Sequence, residues 1–309
     1  MTEFASVGVI GGGLIGMSWT SLFLARGCRV VVVDPDPDTP DRLATFLSRA
    51  WGSLEALGLT TGDEAPEPVV TDDISALGDV DFVQENGPER IDVKRDIIRR
   101  LEDVLAPETL IASSTSSLKA SDMQVGARQP GRILVAHPMN PPHLVPMVEL
   151  VAGQSTSETT IETAERFYAQ MQRVTIRVKR EVPGHLANRL TSALYREAVH
   201  LVAEGIADVE DIDKAVAYGP GMRWALMGPH LTYHLGGGTG GYRGYLDHLG
   251  PTQEARWAEL GHPHLSDDLK RELVAGVDRE LAALNEKSLV ARRDAALVEL
   301  AKLKKAFDL

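Results

Sequence analysis

Within the stretch AHPMNPPHLVPMVEL (136–150), His137, Asn140 and Glu149 have the side-chain types that move or steer a proton. Four prolines keep this stretch out of a helix. An imidazole titrates at about 6.5, so His137 can accept a proton near neutrality. A carboxylate on its other ring nitrogen would fix the tautomer and stabilise the imidazolium. Glu149 is the candidate for that partner. Two further segments carry hydroxyl and amide groups: ASSTSSL with Ser116, and VPGHLANRL with Asn188. Both side chains can hydrogen-bond an alcohol oxygen or a developing carbonyl. Taken alone, one histidine is more often a structural or surface residue.

The N-terminal text SVGVIGGGLIGMSWTSLFLARGCRVVVVDPDPD reads as strand, turn, helix and strand. Gly11, Gly13 and Gly16 make G-x-G-x-x-G at the turn. The first glycine closes the turn, the second admits a pyrophosphate, and the third lets helix and strand pack. The pyrophosphate would lie on the helix N-terminus, against Gly11, Gly13, Leu14, Ile15 and Gly16. Asp34 ends the second strand, at the place of an acid that binds ribose hydroxyls. Pro35 and Asp36 follow it, with no arginine for a 2′-phosphate, so NAD is expected rather than NADP. FAD would ask for a larger second region with strands, and none reads here.

Helical patterns follow at 41–57 and 91–105. Strand patterns follow at 68–71, 81–84, 109–112, 132–136 and 174–178. This alternation predicts an α/β Rossmann-type, doubly wound, mostly parallel sheet. After the Pro183–Gly184 break only helical periodicity remains. The expected domains are therefore a Rossmann domain for NAD over 1–183 and an all-helical substrate and dimerisation domain over 184–309. The run 236–241, GGGTGG, reads as a phosphate loop or as a connector between helices; no strand precedes it, which favours the connector. Ligands of such sheets collect at the carboxyl ends of the strands. Ser116 and His137 fall just beyond two such ends. Asn188, one turn into the first helix of the second domain, would cross over the same cleft. A base beside NAD suits alcohol oxidation.

The stretches GVIGGGLIG, ASSTSSL, HPMNPPHLVPMVEL and VPGHLANRL together resemble the 3-hydroxyacyl-CoA dehydrogenase superfamily over nearly the whole chain. The resemblance implies an active site of Ser116, His137, Glu149 and Asn188, with His137 as base and Asn140 in the histidine loop. QENGPERIDVK resembles a segment on the nicotinamide side of NAD. That makes Glu89 and Lys94 candidate cofactor contacts, the other reading being a solvated helix start. HPMNPP and GPGMRWALMGPHLTYHLGGG depart from the acyl-CoA enzymes. They look more like the branch acting on free 3-hydroxy acids, the L-carnitine and L-gulonate 3-dehydrogenases. A free carboxylate needs a cation, and Arg223 is the candidate, unless it serves a structural ion pair. Trp224, Tyr233 and Tyr242 can offer faces to a quaternary ammonium or can fill a core. His230 and His234 lie four apart, but no third metal ligand is apparent.

Over 309 residues the net charge is -12, a sign that repels nucleic acid and anionic membranes. The aromatic fraction of 5% gives no stacking platform for bases. The single cysteine, Cys28, excludes an internal disulfide and fits a reducing cytoplasm. No signal peptide or membrane span reads from the sequence. The expected partners are a small 3-hydroxy or 3-keto acid and a second copy of the chain, a homodimer formed through the helical domain. Two rivals remain: a 3-hydroxyacyl-CoA dehydrogenase proper and a non-catalytic NAD-binding protein. A lysine-based hydroxyacid dehydrogenase is disfavoured, because PGHLANRL holds no lysine.

Overall fold

A computed structural model describes residues 3–282, 284 and 286–309. Its eight strands are β1 (Ser6–Ile10), β2 (Arg29–Val33), β3 (Val69–Thr71), β4 (Phe82–Glu85), β5 (Leu110–Ser113), β6 (Ile133–Pro138), β7 (Met147–Ala152) and β8 (Val174–Val178). They form one sheet in the order β3-β2-β1-β4-β5-β6-β7-β8. All neighbours are parallel except β6 and β7. The chain reverses direction across the sheet between β1 and β4, the switch point where doubly wound sheets bind ligands.

Alternation along each strand divides the core in two, because side chains of a strand point to opposite faces in turn. Val7, Val9, Val30 and Val32 pack with Trp19, Leu22 and Phe23 of α1 (Leu14–Ala25), Leu43 and Leu47 of α2 (Thr39–Ala56), and Phe167 and Tyr168 of α5 (Glu158–Gln170). Ile10, Val31 and Val33 pack instead with Ile98 and Leu101 of α3 (Ile91–Glu102) and with Ala120 and Met123 of α4 (Ala120–Met123). Each large side chain buried this way contributes roughly 1.5–3 kcal/mol. The sheet expected from the sequence is therefore present, with helices on both faces.

Two elements depart from the sequence reading. The apolar run ending at Glu149 is a strand, β7, antiparallel to β6. The segment after it is the helix α5, capped by Ser157, whose side chain accepts the Thr160 N–H.

The chain separates into compact units Met1–Arg189 and Leu190–Leu309. The helix α6 (Ala187–Ala203) begins in the first unit. The second contains α7 (Val209–Tyr218), α8 (Pro220–Trp224), α9 (Pro229–Gly236), α10 (Gly241–Glu259), α11 (Asp267–Ala282) and α12 (Glu286–Ala306). Among the described residues it has no strand. Val199, Val202, Ile212 and Leu269 form its buried cluster. Gly236 to Gly241 make a tight link between α9 and α10: a Cβ on Gly237 would lie 1.8 Å from the Gly241 carbonyl oxygen. The run is a packed connector. No described helix is long and apolar enough to cross a membrane.

Candidate active site

The glycine turn joins β1 to α1. Gly11 has φ +87°, and a Cβ there would come within 2.7 Å of the Asn86 carbonyl oxygen. A Cβ on Gly16 would stand 1.8 Å from the Gly11 carbonyl oxygen, so only glycine lets the helix approach so closely. A Cβ on Gly13 would meet nothing within 4 Å. Gly13 caps α1 without a side-chain hydrogen bond, so the first N–H groups of the helix remain open to an anion. Asp34 lies just past β2, where its Oδ2 accepts the Gly12 N–H at 2.6 Å. Open space over a helix N-terminus, with a carboxylate beside it, fits the pyrophosphate and ribose of NAD. Leu14 is exposed, whereas Ile15 lines the neighbouring cavity.

That cavity, about 380 Å³, lies in the first unit and brings together Ile15, Glu89, Lys94, Ser116, His137, Asn140 and Asn188. His137 lines it and is paired with Glu149. His137 on β6 and Glu149 on β7 are direct cross-strand partners. His137 Nδ1 lies 2.7 Å from Glu149 Oε2, and both side chains are buried. The other carboxylate oxygen, Oε1, accepts the N–H groups of Leu186 at 2.7 Å and Ala187 at 2.9 Å, where α6 begins. Burial alone would raise the Glu149 pKa; the bonds from His137, Ala187 and Leu186 outweigh it and hold the carboxyl below its ordinary value. An ionised Glu149 makes Nδ1 the protonated nitrogen of a neutral His137 ring and leaves the lone pair on Nε2.

Asn188 lies in the first turn of α6, just after the chain bends at Gly184 and His185. Its Nδ2 donates to the Ser116 carbonyl oxygen at 3.3 Å. Glu89 holds the Ser116 loop from the other side. Its Oε1 accepts from Thr115 Oγ1 at 2.6 Å, from the Ser116 and Ser117 N–H groups at 3.0 Å each, and from Ser117 Oγ at 2.9 Å. The Ser116 hydroxyl is 3.4 Å from the same oxygen. Burial raises the Glu89 pKa, but the Thr115 and Ser117 bonds and Lys94 lower it further, and the net shift is downward.

Two residues were not anticipated. Glu85, at the end of β4, is buried and accepts Lys94 Nζ at 2.8 and 3.1 Å, together with Ser113 Oγ and the Gly87 N–H. A carboxylate closing an apolar strand was the signal for it. His185 is buried in the left-handed region at φ +49°. Its ring lies 5.2 Å from that of His137, and its Nε2 donates to the Thr115 carbonyl oxygen at 3.2 Å. Burial pushes its imidazole pKa down. In the second unit, Arg223 and Trp224 sit exposed on α8. Among the described residues Arg223 makes no ion pair. Tyr233 and Tyr242 both stack on Tyr245, at 4.4 and 6.2 Å between centroids. Their faces meet one another in this stack. His230 Nδ1 bonds the Tyr242 hydroxyl, and His234 Nδ1 accepts the Tyr242 N–H.

Family models for the 3-hydroxyacyl-CoA dehydrogenase NAD binding domain and C-terminal domain match residues 6–182 and 184–268. The chain belongs to the 3-hydroxyacyl-CoA dehydrogenase family. Its first domain is therefore an NAD-binding domain, and NAD is its cofactor. Among its relatives is an L-carnitine dehydrogenase of Nocardiopsis dassonvillei, 45% identical over 96% of this chain and 91% of that protein. An L-carnitine dehydrogenase of Streptomyces coelicolor is 45% identical over 95% of this chain and 93% of its own length. Among solved structures, an NAD+ dependent dismutase, a 5-dehydrogenase of a pyridine 4-carboxylic acid, superposes with TM-score 0.85 at 28% identity. It covers 98% of this chain and 99% of its own.

Proposed function

We propose that this 3-hydroxyacyl-CoA dehydrogenase family member oxidises the 3-hydroxyl of a small free 3-hydroxy acid, L-carnitine, to the 3-keto acid. His137 Nε2 takes the hydroxyl proton as the C3–H bond breaks and the carbonyl forms. When bound, NAD supplies the acceptor for the hydride leaving C3. Glu149 keeps the imidazole in the tautomer with a free Nε2 and stabilises the imidazolium. Ser116 Oγ and Asn188 Nδ2 donate to the substrate oxygen. Glu89, Lys94 and Asn140 border the nicotinamide end of NAD. Arg223 binds the substrate carboxylate through its planar fork, with Trp224 beside it. The observation that carries this reading is the buried, ionised Glu149 on His137, opening into the cavity that holds Ser116 and Asn188. The relatives named L-carnitine dehydrogenases support the free acid over a CoA ester.

The helical domain forms a cytoplasmic homodimer. Leu190, Leu194, Leu231 and Leu235 are large apolar side chains left exposed by a small core, the pattern of a surface awaiting a second copy. Light scattering should give twice the chain mass, and Leu190→Glu with Leu194→Glu should lower it. Substrate choice is tested by NADH formation with L-carnitine, L-gulonate and L-3-hydroxybutyryl-CoA, each with NAD and NADP. The expected outcome is turnover of L-carnitine with NAD. Turnover of the CoA ester alone would overturn the free-acid reading.

A further inference from the structure

We infer that His185 is a positioning residue for the reaction proposed above: its imidazole sets the Ser116 loop against the ring of His137. This rests on the roles given there to His137 and Ser116, which the imidazole bridges. Its Nε2 donates to the carbonyl oxygen of Thr115, the residue before Ser116, at 3.2 Å. Its ring packs on that of His137, with 5.2 Å between centroids and 45° between planes. The three residues after it complete the bracket. The Leu186 and Ala187 N–H groups bind Glu149, the partner of His137, and Asn188 Nδ2 donates to the Ser116 carbonyl oxygen.

Stability alone does not call for a histidine here. The residue is 1% exposed, and among the described residues its Nδ1 is buried without a hydrogen-bond partner. A buried acceptor left unpaired opposes folding. The backbone stands at φ +49°, a region that residues with a side chain enter at a cost. A phenylalanine would fill the same space with no stranded nitrogen. What it would lack is the Nε2–H on Thr115. Burial pushes the imidazole pKa down, against the bond to Thr115. The ring therefore stays neutral and brings no second positive charge to the imidazolium that forms on His137. Ser116 must reach the same substrate oxygen from which His137 Nε2 takes the proton. A misplacement of about 1 Å between such groups can cost roughly a hundredfold in rate. A rigid ring between the two fixes that spacing.

The test is the rate of NADH formation in His185→Phe and His185→Gln, each in the wild-type and the Ser116→Ala background. The substrate is L-carnitine, or whichever hydroxy acid of the panel above the wild type oxidises. Phenylalanine keeps the ring and cannot donate to Thr115; the glutamine amide reaches about as far as the imidazole Nε2 and can. In His185→Phe, kcat/KM for the hydroxy acid should fall by roughly ten- to a hundredfold, with the KM for NAD unchanged. Glutamine should recover most of that loss. With Ser116→Ala in place, His185→Phe should cost far less, because the loop no longer carries the hydroxyl that it positions. Equal cost in the two backgrounds would overturn the inference, and so would a glutamine variant as slow as the phenylalanine one. A Ser116→Ala variant as fast as wild type would remove the proposed role of Ser116 itself, and the inference with it. The wild-type protein gives an arm that needs no variant to fold. NMR of its histidine ring nitrogens near neutral pH should show His185 as a neutral ring protonated at Nε2. A ring protonated at Nδ1 would also overturn the inference.

Discussion

Glu149 and Glu89 serve one cavity from opposite sides and in opposite ways. Glu149 is fully buried between two antiparallel strands and the start of α6, with both oxygens hydrogen-bonded. It can act on a substrate only through His137. Glu89 sits where the loop after β4 enters α3, with one oxygen saturated and the other facing only a distant ammonium. It can meet a bound molecule directly. The same side chain thus serves a neighbouring ring in one place and faces the cavity in the other, according to how many of its lone pairs the fold consumes.

The difference can be broken first at Glu149. In Glu149→Gln the amide donates to His137 Nδ1, so the proton moves to Nε2 and the base is lost. By analogy with a triad aspartate changed to asparagine, kcat should fall on the order of 10³- to 10⁴-fold with little change in the KM for NAD. A drop below tenfold would remove Glu149 from the relay. Next, Lys94→Met leaves Glu85 charged and unpaired in the protein interior. Urea unfolding should show a loss of about 3–5 kcal/mol. A near-neutral result would mean that water reaches Glu85. Asn188→Ala should cost roughly 10²-fold in kcat, as for one lost oxyanion donor, and leave the fold intact. The smallest effect is on acid stability. Both carboxyls have lowered pKa values in the folded protein. Each therefore stabilises above the unfolded value of about 4.3, and that contribution disappears as pH falls through the lower folded value. Melting curves of wild type and Glu149→Gln should differ at pH 7 and converge as the pH falls through the lowered folded value. A constant gap would show that the difference is packing rather than ionisation.

Local residues were the legible ones. Gly11, Gly13, Gly16 and Asp34 act through a turn and two strands contiguous in the chain, so spacing alone was enough to place them. The β8 strand, 174–178, was read with the bounds it has in the structure. The relay was legible only as residue types. Glu149 was assigned to His137 by chemistry, but the reason they meet is the antiparallel register of β6 with β7. That strand was hidden by Pro146 and by an apolar run lacking alternation, as expected of a strand buried on both faces. Glu85 escaped notice because its partner Lys94 lies across a strand end and a helix turn. Asn188 begins the first helix after the Pro183–Gly184 break and lines the cavity with Ser116 and His137. The tyrosines of the second unit show the limit of composition: residues read as a cage or as a core form a stack.

The central claim is that His137 is the proton acceptor for the 3-hydroxyl. The most direct test is NADH formation from L-carnitine by wild type and His137→Gln side by side, with NAD binding to each followed by fluorescence. NAD binding should be unchanged and the rate about 10²- to 10⁴-fold lower in the variant. A variant that binds NAD and oxidises L-carnitine at the wild-type rate would contradict it.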